Sequence, residues 1–348
     1  MIGCGYWGAN YVRVLNELPG VQLMAACDQR EDRLGEVARR SPQTDVVTDF
    51  DSVIERTDVE AVLLCTQAGT HYELGLRCLE AGKHILIEKP LTTRSEHALR
   101  LMRLAEAKGL TLMVGHTFLY NPAVETVKEY VSDPASGPVY YLYARRTNLG
   151  PIRPDVNAIW DLAPHDVSIF NFLLGRNPLW VSAAGGRPLG TAREDVGFAT
   201  LGYGGDMLGH IHVSWADPNK TREVVVVCQE KRIVFNDLDS MERVRVFEKG
   251  VQRHLLDSET TVEPQFALRE GRIVSPPVPS TEPLRRQLEH FVECVRTGAR
   301  PLSDAHAGLA VVQVMEAMSA SVELSGSPVV VGSGEQAMGG ERVADSIR

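Results

Sequence analysis

Between residues 21 and 122 the chain alternates short apolar runs with longer stretches in which apolar residues recur every three or four positions. The runs "VQLMAAC" (21–27), "AVLLCT" (61–66), "HILIE" (84–88) and "TLMVG" (111–115) read as buried parallel strands. Amphipathic helices are expected over 31–40, 70–81 and 94–108; in the last, Ala98, Leu101, Met102 and Ala105 share one face. Strand–helix alternation of this kind predicts an α/β fold with a doubly wound parallel sheet, whose ligands bind at the carboxyl ends of the strands.

After Pro122 the rhythm changes. A helix is expected over 123–132, a turn at "DPASGP" (133–138), a strand over 139–146 and a helix over 158–174. From 180 to 256 the strand-like runs "LWVSAAG", "VGFATLGY", "MLGHIHVSW", "EVVVVCQ", "RIVF" and "RVRVFEK" follow one another, broken by Gly-Gly, Asp-Pro and Lys-Gly. They predict a mostly antiparallel sheet with helices on one face. Residues 257–282 read as an irregular loop, and two helices near 283–297 and 304–324 close the fold. The expected division is 1–122, 123–331 and a flexible tail over 332–348.

The first chemistry stands at the amino end. "MIGCGYWGAN" holds G-x-G-x-x-G at Gly3, Gly5 and Gly8, opening a helical pattern, and a strand ends 20 residues after Gly8 in Asp28. Glycines there allow a tight turn and close approach of backbone to a pyrophosphate, the helix start stabilises its charge, and the acid accepts ribose hydroxyls. Asp28 would repel a 2′-phosphate, so NAD is expected over NADP. The neighbouring Arg30 leaves NADP open.

Two further segments carry groups suited to proton transfer. "AGKHILIEKPLT" (81–92) puts Glu88, Lys89 and Pro90 at the end of a strand, where Lys89 either exchanges a proton with a ligand oxygen or caps the strand. In "NAIWDLAPHDVSIF" (157–170), Asp161 and His165 are four apart and share a helix face, with Pro164 placed in the first turn. An Asp–His pair suits proton transfer from a hydroxyl, though a histidine on a helix also serves structure. His71, after "CTQAGT", either touches the cofactor or caps a helix. His210 and His212 have no third ligand at a suitable spacing, so no metal is expected.

Composition narrows the partners. The chain has 348 residues, 44% hydrophobic and 23% charged, with a formal net charge of −9 and no basic tract. That suits a soluble two-domain protein and argues against nucleic acid as the main partner. No apolar run reaches ~18 residues, so no membrane helix is expected, and the start has no signal-peptide pattern. Six cysteines without C-x-x-C spacing read as reduced thiols, which places the chain in the cytoplasm.

Taken together, "GCGYWG", the strand-end Thr66 with His71, "AGKHILIEKP", "GHTFLYNP" (115–122) and "WDLAPHD" (160–166) resemble the Gfo/Idh/MocA oxidoreductase family over roughly residues 1–331. The resemblance implies a Rossmann domain followed by a C-terminal α/β domain with a large, mostly antiparallel open sheet that forms a homodimer or homotetramer. It maps catalytic roles onto Lys89, Asp161 and His165, with Asp161 orienting His165. It maps cofactor contacts onto Gly3, Gly5, Tyr6, Trp7, Gly8, Asp28, Arg30, Thr66, Gln67, His71, Glu88 and Lys89. Substrate contacts are expected at His116, Tyr120, Asn121, Arg145, Arg146, Asn148, Asn157, Trp160 and His165. Arg145 and Arg146 either pair with a diphosphate or carboxylate or are exposed strand residues. The wording of "WDLAPHD" and "FLYNPAV" resembles the branch acting on sugar nucleotides in polysaccharide pathways. The activity implied is hydride transfer between NAD and a ring hydroxyl or ketone. Inositol or free-sugar dehydrogenases, nicotinamide-dependent glycoside hydrolases and dinucleotide-sensing regulators are the alternatives.

Two departures stand out. The family's Thr-Pro is Thr66-Gln67 here, and only Met1 and Ile2 precede the glycines where several apolar residues are usual. The expectation is that Met1 is not the natural start and that upstream residues supply most of a central first strand.

Overall fold

The computed structural model describes all residues except 154, 255–264 and 333–348. The expected tail beyond Gly332, and part of the expected 257–282 loop, fall outside the described residues. The chain divides into two units, Met1–Asn121 with Thr281–Glu316, and Pro122–Ser280 with the chain from Ala317 on. The helix Pro283–Thr297 and most of the helix Ala305–Glu323 therefore fall in the first unit.

In the first unit, helices α1 (Tyr6–Glu17), α2 (Glu31–Arg40), α3 (Asp51–Ile54), α4 (His71–Glu80) and α5 (Ser95–Lys108) alternate with strands β1 (Ala25–Cys27), β2 (Asp45–Val47), β3 (Ala61–Leu64), β4 (His84–Glu88) and β5 (Leu112–Gly115). All strand pairs are parallel, in two groups, β1–β2 and β3–β4–β5. Val62, Leu64, Ile85, Leu86, Ile87, Met113 and Val114 are fully buried, as expected for continuous apolar strands of a covered parallel sheet.

Ile2 joins the two groups, bridging Cys27 on one side and Leu64 on the other. Its N–H donates to Leu63 O and its carbonyl accepts from Cys65 N, both at 2.8 Å. The Met1 ammonium donates to Ala25 O at 2.9 Å, and burial pushes its pKa below the ordinary value. A cavity of about 450 Å³ is lined by Met1, Leu23, Ala25, Val59, Leu63 and Phe291, among others. β1 is shorter than the apolar run 21–27 because Val21–Met24 border this cavity and the ladder to β2 reaches back only to Met24 O.

In the second unit, α6 (Pro122–Ser132), β6 (Val139–Thr147) and α7 (Ala158–Leu174) precede the strands β7 (Trp180–Gly186), β8 (Val196–Gly202), β9 (Leu208–Ser214), β10 (Thr221–Cys228), β11 (Arg232–Asn236), β12 (Val244–Phe247), β13 (Gly250–His254), β14 (Gln265–Arg269), β15 (Ile273–Val274) and β16 (Val329–Val330). Nine of them form one sheet in the order β15-β12-β11-β10-β6-β9-β8-β7-β16, in which only β6 and β9 run parallel. α7 packs on β9, β6 and β8, and α6 on β11 and β12. The opposite face leaves Tyr141, Phe198 and Leu208 exposed. β14 and β15 lie where an irregular loop was expected. They pair with β13 and β12, so the register is set by chain brought from elsewhere in the sequence.

Candidate active site residues in each unit

The glycine turn is built for close approach. Gly3 has φ +86°, and a Cβ there would lie 2.7 Å from Cys65 O; a Cβ on Gly8 would lie 2.2 Å from Gly3 O. Both contacts are with backbone, so no side chain fits at either position. Gly5 is the N-cap of α1, and the first turn, which includes Tyr6 and Trp7, has no side-chain cap and no acid. Its N–H groups and helix dipole therefore suit an anion.

Asp28 stands at the end of β1, 8% exposed. Its Oδ2 accepts from Cys4 N at 2.7 Å and its Oδ1 from Arg30 N at 2.9 Å. The Arg30 guanidinium turns to Asp32 instead, in an exposed pair. The cation at Asp28 is Arg33, 3.3 Å away, and its guanidinium lies 3.6 Å from where a Gly5 Cβ would be. Sequence reasoning missed Arg33, although its place five residues after Asp28, in the first turn of α2, was a readable signal.

Gln67 is exposed in the turn after β3. The Thr66 hydroxyl accepts from Thr70 Oγ1 at 2.7 Å. The His71 ring is buried, with Nδ1 2.8 Å from Pro90 O and Nε2 3.2 Å from Thr66 O. It ties the turn after β3 to the turn after β4, a fuller role than capping α4.

Glu88 and Lys89 end β4. Glu88 Oε1 accepts from Tyr11 OH at 2.7 Å and Oε2 from Lys89 N at 3.1 Å, while Gln287 Nε2 donates to the Tyr11 oxygen at 2.8 Å. Burial, then the Glu88 charge, pushes the Tyr11 phenol well above its ordinary pKa, so it stays a neutral donor. Neither Tyr11 nor Gln287 was legible as a site residue, because each lies far along the chain from Glu88.

His116 follows β5 and is 1% exposed. Neither ring nitrogen has a hydrogen-bond partner among the described residues. Burial, and then the nearby Lys89 charge, lower its pKa to about 3. An unfolded chain takes up this proton near pH 6.5, the folded one only near pH 3. The fold is thus expected to lose stability as pH falls from about 6.5 towards 3, by up to about 1.4 kcal/mol per pH unit from this group. Urea midpoints of the wild type and His116→Phe against pH check this; equal acid slopes in the two would refute it.

Several expected ligand contacts are engaged within the protein. Tyr120 is buried, with its hydroxyl 3.1 Å from Ser303 Oγ. Asn121 is also buried. In the second unit, Asn157 is the N-cap of α7; its Oδ1 accepts from Trp160 N at 2.8 Å and its Nδ2 donates to Glu194 at 2.9 Å. Trp160 Nε1 donates to Ser319 at 2.8 Å. The Arg146 side chain is 5% exposed and bonds both oxygens of Asp166, whose side chain is 1% exposed. Successive residues of a strand face opposite sides, so Arg145 is exposed on the other face and the two arginines cannot clamp one diphosphate. Asn148 is half-buried just past β6.

Asp161 and His165 lie on one face of α7, both half-buried. Pro164 sits inside this helix rather than in its first turn, because Asn157 starts the helix at Ala158. Asp161 Oδ1 accepts from Arg153 at 3.2 Å and Oδ2 from Trp215 Nε1 at 3.3 Å. Among the described residues, no group of three or more His, Cys, Asp or Glu could hold a metal ion, and His210 and His212 instead stack on Phe198. All six cysteines are free, and no described helix is long and apolar enough to cross a membrane.

Residues 1–116 match the model of an oxidoreductase family with an NAD-binding Rossmann fold, and residues 124–234 match the GFO/IDH/MocA C-terminal domain. Inositol 2-dehydrogenase 2 of Saccharopolyspora erythraea is 32% identical over 199 residues, 56% of this chain and 59% of its own. The UDP-N-acetylglucosamine 3-dehydrogenase of Acidithiobacillus ferrooxidans is 31% identical over 193 residues, 53% of this chain and 56% of its own. The matches thus span little more than half of either relative. A crystal structure from Magnetospirillum magnetotacticum MS-1, described as that of an oxidoreductase, superposes with TM-score 0.76 at 30% identity, covering 91% of this chain and 97% of the other.

Proposed function

We propose that this chain, a member of the GFO/IDH/MocA oxidoreductase family, is an NAD-dependent dehydrogenase acting on a ring hydroxyl of a sugar or polyol, or on the matching ketone. The observation that carries the reading is the glycine turn. Its two backbone contacts exclude any Cβ, it leads into an uncapped helix start, and Asp28 stands at the end of the next strand. Those residues fit a dinucleotide. When bound, the nicotinamide supplies the hydride acceptor or donor.

The chain's own residues handle the proton. Lys89 and His165 are the groups suited to removing it from the hydroxyl or returning it to the ketone oxygen, and Asp161, one helical turn before His165, orients the imidazole. Glu88, held by Tyr11, fixes the turn that presents Lys89. NAD is preferred over NADP because a 2′-phosphate would meet the Asp28 carboxylate. Asp28→Ala is expected to weaken NAD more than NADP, measured by titrating both cofactors. A wild type with the higher kcat/KM for NADP would refute the assignment, and Arg33 would then be the group to test.

A ring polyol such as an inositol, or a free sugar, fits this chain at least as well as a sugar nucleotide, since Arg146 is committed to Asp166. One relative of each kind supports either choice. The outer face of the nine-stranded sheet, with Tyr141, Phe198 and Leu208 exposed, supports a homodimer or homotetramer, to be sized by light scattering. The deciding experiment incubates the protein with NAD and a panel of inositols, free hexoses and UDP-hexosamines, and follows NADH. Turnover with one class is expected. No turnover with any of them, nor with the corresponding ketones and NADH, overturns the proposal.

A further inference from the structure

We propose that Arg153 and Trp215 are positioning residues that together fix the plane of the Asp161 carboxylate. The inference rests on the reading above, in which Asp161 serves proton transfer. Each carboxylate oxygen accepts from a side chain, and the two donors come from different elements. Arg153 Nη1 reaches Oδ1 at 3.2 Å from the segment before α7, and Trp215 Nε1 reaches Oδ2 at 3.3 Å from just past the end of β9.

Both donors are themselves held. Arg153 forms a forked pair with Asp155, Nε to Oδ1 at 3.0 Å and Nη2 to Oδ2 at 2.7 Å, which leaves Nη1 aimed at Asp161. Trp215 is 2% exposed, and its backbone N–H donates to Asp195 O at 2.8 Å, so the indole has no room to turn. An aspartate held by one donor can still swing its carboxylate plane about that bond. Two donors on opposite oxygens, from anchored groups, remove that freedom.

These contacts are not needed to start the helix. Asn157 already caps α7 through Trp160 N. Nor does either donor change state: the guanidinium stays charged and the indole N–H is always a donor. The pair therefore delivers a carboxylate of fixed orientation one turn before His165.

The test uses the full chain with Trp215→Phe, Arg153→Gln, Arg153→Lys and Asp161→Asn. Turnover is read with NAD and the ring substrate found active, and indole N–H resonances are read by ¹⁵N NMR. Trp215 is identified by the signal lost in Trp215→Phe. We expect kcat to fall about 10-fold or more in Trp215→Phe and Arg153→Gln. KM and NAD affinity should change less than about twofold, and Arg153→Lys should recover part of the loss. The Trp215 indole signal should move in Asp161→Asn. A merely structural role would lower the melting temperature without splitting kcat from KM and without rescue by lysine. An indole signal that ignores Asp161→Asn overturns the proposal. So does turnover kept in Trp215→Phe and Arg153→Gln but lost in Asp161→Asn. Turnover kept in Asp161→Asn as well instead overturns the catalytic reading of Asp161 and the proposal with it.

Discussion

Replacing Lys89 by alanine, or His165 by alanine, is expected to lower turnover by about 10²-fold or more while NAD still binds. General acid–base groups contribute about 10²–10⁴ to rate. The two side chains are placed for that work. Lys89 is half-buried at the end of β4, beside a carboxylate fixed by the Tyr11 hydroxyl. His165 is half-buried on α7, one turn after an aspartate with both oxygens engaged. Cofactor affinity should survive because the glycine turn, the start of α1 and Asp28 make no use of either side chain. Steady-state rates and a fluorescence titration with NAD check the two halves of the statement. Near wild-type turnover in both variants would rule out the assigned roles.

Arg146→Met is expected to destabilise the fold by about 3–5 kcal/mol, because it leaves the Asp166 charge buried without its partner. The pair is almost free of solvent, and Arg146 bonds Asp166 through two nitrogens. A surface arginine reaching for a ligand would behave differently: its loss would raise KM and leave the urea midpoint alone. Restoring apolar balance with the double variant Arg146→Met, Asp166→Leu should recover much of the loss. Urea unfolding of the three proteins decides. An unchanged midpoint in Arg146→Met would return this arginine to the ligand-binding candidates.

How much of this was legible in the sequence depends on how local the cause is. The helices over 31–40, 158–174 and 283–297 start and stop where their apolar periodicity does, because a helix is written in neighbouring residues. β3, β4 and β5 follow from continuous apolar runs for the same reason. β1 was overread: Val21–Met24 line the cavity beside Met1, and the ladder to β2 reaches back only to Met24 O, which accepts from Asp45 N at 3.0 Å. β14 was missed because the Pro and Ser around it read as loop, and only its antiparallel pairing with β13 makes it a strand. In the site, Gly3, Gly8 and Asp28 were legible through spacing. The side chains that hold Asp28, Glu88 and Asp161 were not. Arg33 lies within reach of a local rule, but Tyr11, Gln287 and Trp215 arrive from elsewhere in the fold, and no periodicity announces which carboxylate they serve. The same limit explains Arg145 and Arg146. Adjacent in sequence, they are divided by the alternation of β6, which was itself foreseeable once the strand was accepted.

The buried thiols have a use outside enzymology. Burial pushes Cys4 up to about 11 and Cys78 up to about 12, and both are free. Little thiolate is present at neutral pH and the sulfurs are shielded, so an alkylating reagent finds them only when the surrounding structure opens. Their labelling rate therefore counts the openings of the first unit, with no introduced probe.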